Sequence, residues 1–356
     1  MTGSPWRRAL LALGAGALAL LCAEGALRAL DLPSRGPLLF EATPTGGFRV
    51  LPDLDVVATG PGGSVRIRTD EDGWRQVGAA SPTVALLGDS FAFGAWASSG
   101  ASSLAGIANQ RTGGAVRAYA APGFGYDEEL AVLLEQALPA RPELVVLMTY
   151  AGNDLTDVWL GPRRYETDGY ALRERVEVVE ERIPAPWRRR GSPGQAFRRR
   201  LGESVHLVRL LGRGVQASRA PPTNTHEDYS SDVFWSRPSL PGWGEEALIL
   251  AGDRLAAMAR ASETAGARFV VMALPYRQQV QPEGLLDGLD VGEPQRRLAG
   301  LARERGIEFL DLTPLLRAAR DEAPVFFPHD GHLDDHGHRV VGEALADFVL
   351  RHANGR

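Results

Sequence analysis

Val84-Ala-Leu-Leu-Gly-Asp-Ser-Phe-Ala-Phe-Gly94 decides how this chain reads. The apolar run Val84–Leu87 has the length and composition of a buried strand, and Gly88-Asp89-Ser90 stops it. Open α/β sheets bind ligands beyond the carboxyl ends of their strands. A serine there exposes its hydroxyl, and its backbone N–H opens the next helix, where an anion is favoured. A nucleophile and part of an oxyanion hole can then share one turn. The same residues also suit a plain helix cap, because Asp and Ser are favoured N-caps anywhere. The rest of the chain has to separate the two readings.

Downstream, strands and helices alternate. Val116–Tyr119 reads as a short strand ended by Ala121-Pro-Gly-Phe-Gly125, and Asp127 to Leu138 as a helix. Leu144-Val-Val-Leu-Met-Thr149 is a wholly apolar strand followed by Ala151-Gly-Asn-Asp154. The alternation lapses over 158–243, which is rich in Arg, Pro, Ser and Gly and carries triplets at Arg188–Arg190 and Arg198–Arg200. It reads as an insertion or lid whose charge runs are solvated. The pattern returns with a helix from Gly244 to Ala265, strand Arg268–Leu274 and a helix from Glu293 to Arg305. Strand Ile307–Leu310 follows, then a His-rich loop through His338 and a last helix from Arg339 to about Arg351. Strands buried on both faces and separated by helices predict a three-layer α/β/α sandwich around a central, mostly parallel five-stranded sheet. The core then comprises 81–157 and 244–353. Before it, 31–80 is a lead-in segment with one half-exposed strand, Ser64–Thr69, and Trp74 as its anchor.

Composition excludes several kinds of chemistry. All 39 basic residues are Arg, which removes a lysine nucleophile, a Schiff base and a phosphate-loop lysine. Cys22 is the single cysteine, so an internal disulfide, a thiolate zinc site and an iron–sulfur cluster are excluded. The net charge of −5 argues against nucleic acid as a partner. At the amino end, Arg7 and Arg8 precede an apolar run from Ala9 to Ala23. Residues 1–30 therefore read as a signal peptide or signal anchor that makes the membrane a partner and leaves the body outside the cytoplasm, on the periplasmic side. A buried amphipathic helix is the alternative.

Three strand ends carry polar or glycine signals, Ser90, Gly123 and Asn153, and a doubly wound sheet puts all three on one edge. A serine nucleophile needs a base, and the dense source of imidazole is Phe326-Phe-Pro-His-Asp-Gly-His-Leu-Asp-Asp-His-Gly-His338. Asp330 stands two residues before His332, a spacing at which the acid can hold one ring nitrogen while the other faces the serine.

Gly88-Asp89-Ser90, Pro122-Gly123-Phe124-Gly125, Gly152-Asn153-Asp154 and Asp330-Gly331-His332 together resemble the SGNH (GDSL-type) hydrolase family, in order and each in its strand context. The resemblance covers about 80–155 and 245–350 and implies the flavodoxin-like SGNH fold. It implies Ser90 as nucleophile, His332 as base and Asp330 as its orienting acid. The oxyanion hole would be formed by the Ser90 and Gly123 N–H groups and the Asn153 amide, with Gly88, Asp89, Gly152 and Asp154 in support. The family's commoner acid-to-histidine spacing is three, which Asp335-His-Gly-His338 keeps. That pair resembles the usual helix-start feature, so Asp330 and His332 are preferred. The two-residue form resembles the branch of polysaccharide O-acetylation proteins.

The resulting expectation is a serine ester hydrolase, without cofactor or metal, acting on O-acyl (foremost O-acetyl) esters of a carbohydrate or small molecule. Transfer of the acyl group to a polysaccharide hydroxyl is the alternative within enzymes. A catalytically silent glycan-binding module is a second alternative. A metal centre on His329, His332, His336 and His338 with Asp330, Asp334 and Asp335 is a third.

Overall fold

The computed structural model describes residues 5–30, 40–42, 48–79, 82–165, 171–173, 205–208, 210–211, 232–281, 288–328 and 330–354, in two compact units. The arginine triplets, most of the predicted insertion and His329 lie outside these residues.

The smaller unit contains α1 (Pro5–Ala29), whose stretch Trp6–Ala29 is long and apolar enough to cross a membrane. None of its apolar window is buried, which disfavours the reading as a core helix of a soluble fold. Such a helix is compatible with a signal anchor or signal peptide.

The larger unit begins with β1 (Phe40–Ala42) paired to β2 (Phe48–Val50), then a hairpin of β3 (Asp55–Gly60) and β4 (Gly63–Arg68). Strand β4 alternates as its sequence predicts, burying Val65 and Ile67. Its partner β3 alternates as well, with Val57 facing solvent and Ala58 buried. Trp74 anchors the segment, its ring edge-on to Tyr119 and its Nε1–H donating to Gln136 at 3.1 Å.

The core alternates β5 (Val84–Gly88), α2 (Ser90–Phe93), α3 (Leu104–Thr112), β6 (Val116–Ala120), α4 (Tyr126–Val132), β7 (Leu144–Tyr150) and α5 (Asp154–Leu160). A short hairpin, β8 (Arg163–Tyr165) and β9 (Ala171–Arg173), precedes α6 (Gly242–Thr264) and β10 (Arg268–Leu274). The chain closes with α7 (Arg277–Val280), α8 (Glu293–Glu304), β11 (Glu308–Asp311), α9 (Thr313–Arg320) and α10 (Asp335–Asn354). The five sheet strands are all parallel, in the order β11-β10-β7-β5-β6. Strands β5 and β7 are buried along their whole length, as sheets covered on both faces require. Helices α3 and α10 pack together on one face, and α4, α5, α6 and α8 pack together on the other. Strand order reverses between β5 and β7, the switch point at which open α/β sheets leave a crevice.

Three boundaries differ from the sequence reading. Helix α3 starts at Leu104 because the Ser103 side chain caps it by accepting from Gly106 N. The helix expected to Leu138 gives way to a π-turn over Leu133–Ala137. The last helix starts at Asp335 rather than Arg339, because Asp334 Oδ1 accepts from Gly337 N at 2.8 Å and its carbonyl from His338 N. Asp335, His336 and His338 are therefore helical. The sequence also hides α7 and α9. Part of the expected insertion belongs to the core, since Phe234 and Trp235 are buried with Trp243 in an aromatic cluster.

Candidate active site

Strand β5 ends in a glycine for steric reasons. Gly88 has φ 154°, and a Cβ there would lie 2.9 Å from the Met148 carbonyl and 2.7 Å from the Ala92 Cβ. The turn after it divides its two polar residues between two tasks. Asp89, buried, caps α2 by accepting from Phe91 N at 2.9 Å. Ser90 is thereby left free of capping, and its Oγ lies 2.9 Å from His332 Nε2.

His332 is held on every side that faces protein. Asp330 Oδ1 accepts from both the His332 Nδ1–H and, at 2.9 Å, the His332 main-chain N–H. The Phe91 ring stacks on the imidazole at 4.9 Å, and Tyr150 lies against Phe91 in turn. Trp96 meets the imidazole edge-on at 6.4 Å. Burial alone would raise the Asp330 carboxyl, but the bonds from His332 outweigh it, with a smaller pull from the Trp96 indole. The carboxyl is held below its ordinary value, so Asp330 is charged at neutral pH.

Strands β6 and β7 pair with β5 on its two sides, so the residues that follow them flank Ser90. Ala121-Pro-Gly-Phe124 is a turn closed by Phe124 N on the Ala121 carbonyl at 3.1 Å, with Gly123 at φ 89°. The turn requires that glycine and leaves its N–H unused. After β7, Asn153 Nδ2 donates to Asp157 Oδ2 at 2.9 Å, and its buried Oδ1 has no partner. An amide so held keeps a second N–H available. Gly152 is packed against the Tyr150 ring, where a Cβ would come within 2.4 Å. Asp154, fully buried, accepts from Tyr150 N at 2.7 Å and from Thr149 Oγ1 at 3.0 Å, tying α5 to the end of β7.

Beneath this edge is an acidic layer that sequence reasoning missed. Glu129 is fully buried and neither carboxyl oxygen has a partner. Burial, then the negative charges of Asp154 and Asp89, raise it well above the ordinary carboxyl range. Asp154 is raised as well, by burial and then Asp89. Glu129 is one of three adjacent acids, Asp127 to Glu129, and nothing in the sequence distinguishes it as the one turned inward.

The competing pair does not reach the serine. Asp335 accepts from Ser98 N at 3.0 Å. His338 is buried with its Nε2–H on the Ala95 carbonyl at 3.4 Å, and burial lowers it to about 4. His336 faces the Pro324 carbonyl. Among the described residues no group of three His, Cys, Asp or Glu side chains is arranged to hold a metal ion.

A serine bonded to a histidine that is bonded to a charged aspartate can be deprotonated as it attacks a carbonyl. Residues 240–355 match the family described as "SGNH hydrolase-like domain, acetyltransferase AlgX". Solved structures similar to this chain include a lipolytic protein of the G-D-S-L family from Desulfitobacterium hafniense DCB-2. It is 13% identical, with 74% of this chain and 98% of that one covered and a TM-score of 0.40. Another is Axe2, an acetylxylan esterase from Geobacillus stearothermophilus, 10% identical, with 76% and 95% covered and a TM-score of 0.41. A third is the lipase/acylhydrolase from Enterococcus faecalis, 10% identical, with 75% and 95% covered and a TM-score of 0.40. No curated protein sequence matches the chain.

Proposed function

We propose that this protein is a serine ester hydrolase that removes O-acyl groups, foremost O-acetyl, from a carbohydrate or small molecule. The observation that carries the reading is the unbroken chain Ser90 Oγ, His332 Nε2, His332 Nδ1, Asp330 Oδ1 at the switch point of the sheet. Ser90 Oγ attacks the acyl carbonyl while His332 Nε2 takes its proton. The tetrahedral oxyanion is received by the Ser90 and Gly123 N–H groups and the free N–H of the Asn153 amide. Collapse expels the alcohol, which leaves with the proton from His332, and the acyl group remains on Ser90. Water, deprotonated by His332, then attacks the acyl carbon, and Ser90 departs with its proton restored. Asp330 stays ionised throughout and stabilises the imidazolium. Gly88, Asp89, Gly152 and Asp154 shape and brace the two turns.

A second reading replaces water by a glycan hydroxyl, which makes the protein an O-acetyltransferase. The family description matched by residues 240–355 favours it. In both readings Arg7 and Arg8 ahead of the apolar run Ala9–Ala23 support a body exported from the cytoplasm and anchored by, or cleaved from, residues 1–30.

The deciding experiment is hydrolysis of a chromogenic acetate ester by wild type, Ser90→Ala and His332→Ala. Turnover in wild type that is lost in both variants and survives a chelator supports the serine mechanism. Full activity in Ser90→Ala refutes it. A glycan acceptor that diverts the acetyl group from water distinguishes transfer from hydrolysis.

A further inference from the structure

Three non-glycine residues have positive φ among the described residues: Asp53, Arg141 and Trp96. The first two are exposed. Trp96, at φ 64°, stands beside the triad. A bulky residue in the left-handed region is strained, and such strain persists only where the surroundings over-determine it.

The surroundings of Trp96 do so from several directions. The β3–β4 hairpin lays Gly60 on the indole so closely that a Cβ there would lie 2.6 Å from Cε3. Buried Arg75 donates to the carbonyls of Phe93 at 3.3 Å, of Gly94, and of Ala97 at 3.1 Å. His338 takes the Ala95 carbonyl, and Asp335 takes the Ser98 N–H. The whole loop from α2 to Ser98 is thus clamped by side chains from the lead-in segment and from α10. The indole it presents has its edge against the His332 ring. Its Nε1–H is buried with no hydrogen-bond partner, so the contact that reaches the triad is the ring edge itself.

We propose that Trp96 is a positioning residue: the hairpin and Arg75 force its backbone into the left-handed region so that the indole edge holds the His332 ring in line with Ser90. The lead-in segment is then part of the site. The proposal rests on the esterase reading of Ser90 for its kinetic consequence and on the structure alone for its geometric one. An imidazole held in line acts on the proton transfer of the transition state, so the contribution is to turnover rather than to ground-state binding.

The test uses the full chain carrying Trp96→Phe, which shrinks the ring whose edge meets His332, and separately Gly60→Val, which displaces the ring without changing it. Val57→Ser, at an exposed position on the same hairpin, is the control. Proton NMR reads the low-field Nδ1–H resonance of His332, assigned by its absence in His332→Ala. Steady-state kinetics on an aryl acetate read kcat and KM, and thermal unfolding verifies the fold. The expected result is a displaced resonance and a kcat lower by about 10–100-fold at unchanged KM in both test variants, with the control like wild type. An unmoved resonance in either folded variant, or a loss confined to KM, overturns the proposal. If Trp96→Phe does not fold, Gly60→Val decides by itself. A wild type that turns over no ester overturns the proposed function while the resonance still decides the role of Trp96.

Discussion

The Ser90 hydroxyl and the His332 ring stand 2.9 Å apart although 242 positions separate them in the chain. Each reaches that point from the carboxyl edge of one sheet, Ser90 directly from β5 and His332 from the segment that turns into α10. Asp330 is two residues away from His332 and bonds both its ring and its main chain. The short spacing therefore makes a tight two-point clamp, in which one carboxylate oxygen serves both donors.

Asp330→Asn keeps the shape and removes the charge that stabilises an imidazolium. Acetate ester hydrolysis is expected to fall by about 10³–10⁴-fold with the fold intact. Comparable rates in Asp330→Asn and wild type would show that the acid is supplied from elsewhere.

Asn153→Ala removes the side-chain donor proposed for the oxyanion site. The expected loss is about 10²–10³-fold in kcat with little change in KM, because the donor acts on charge that develops only in the transition state. A change in KM alone would assign Asn153 to substrate binding.

His338 makes the protein acid-sensitive. Burial lowers its folded value to about 4 from an ordinary 6.5. Its contribution to stability is complete above pH 6.5 and is lost as pH falls toward 4, because the unfolded chain takes up a proton that the folded one refuses. Over that window wild type should lose about 3 kcal/mol more than His338→Gln in denaturant unfolding. Parallel pH profiles would contradict the assignment.

Glu129 acts in the opposite direction. Its raised folded value means that the native state keeps a proton that the unfolded chain releases. The stability is full below the ordinary carboxyl value near 4.5 and is lost as pH rises through the raised one. Glu129→Gln should therefore gain on wild type between pH 5 and pH 8 in melting temperature. Asp154, raised in the same sense, keeps some of the slope in the variant. A difference that is constant with pH would show Glu129 to be solvated.

Much of this molecule was legible in its residues because the signals are local. Val84–Leu87, Leu144–Met148 and Phe269–Leu274 are apolar runs that only a sheet covered on both faces accommodates, and all three are in sheet strands. Gly266 and Gly306, at φ 80° and 65°, mark helix ends as glycines do. Asp334 illustrates the limit. It caps α10 in a run of Asp and His in which Asp335 could cap equally well, and the sequence reading started that helix late.

By itself, the sequence determined the layered α/β architecture, the strand ends that carry Ser90, Gly123 and Asn153, and the nearness of Asp330 to His332. These follow from hydrophobic periodicity and chain connectivity, which act over a few residues. Only the tertiary structure decided that His332 rather than His338 meets Ser90, since both lie in one short segment and differ in which face of the fold they enter. The same holds for Arg75, Gly60 and Trp96, whose meeting depends on a hairpin packing against a distant loop. It holds too for Glu129, where the sense in which α4 faces the core selects one carboxylate of three adjacent ones for burial.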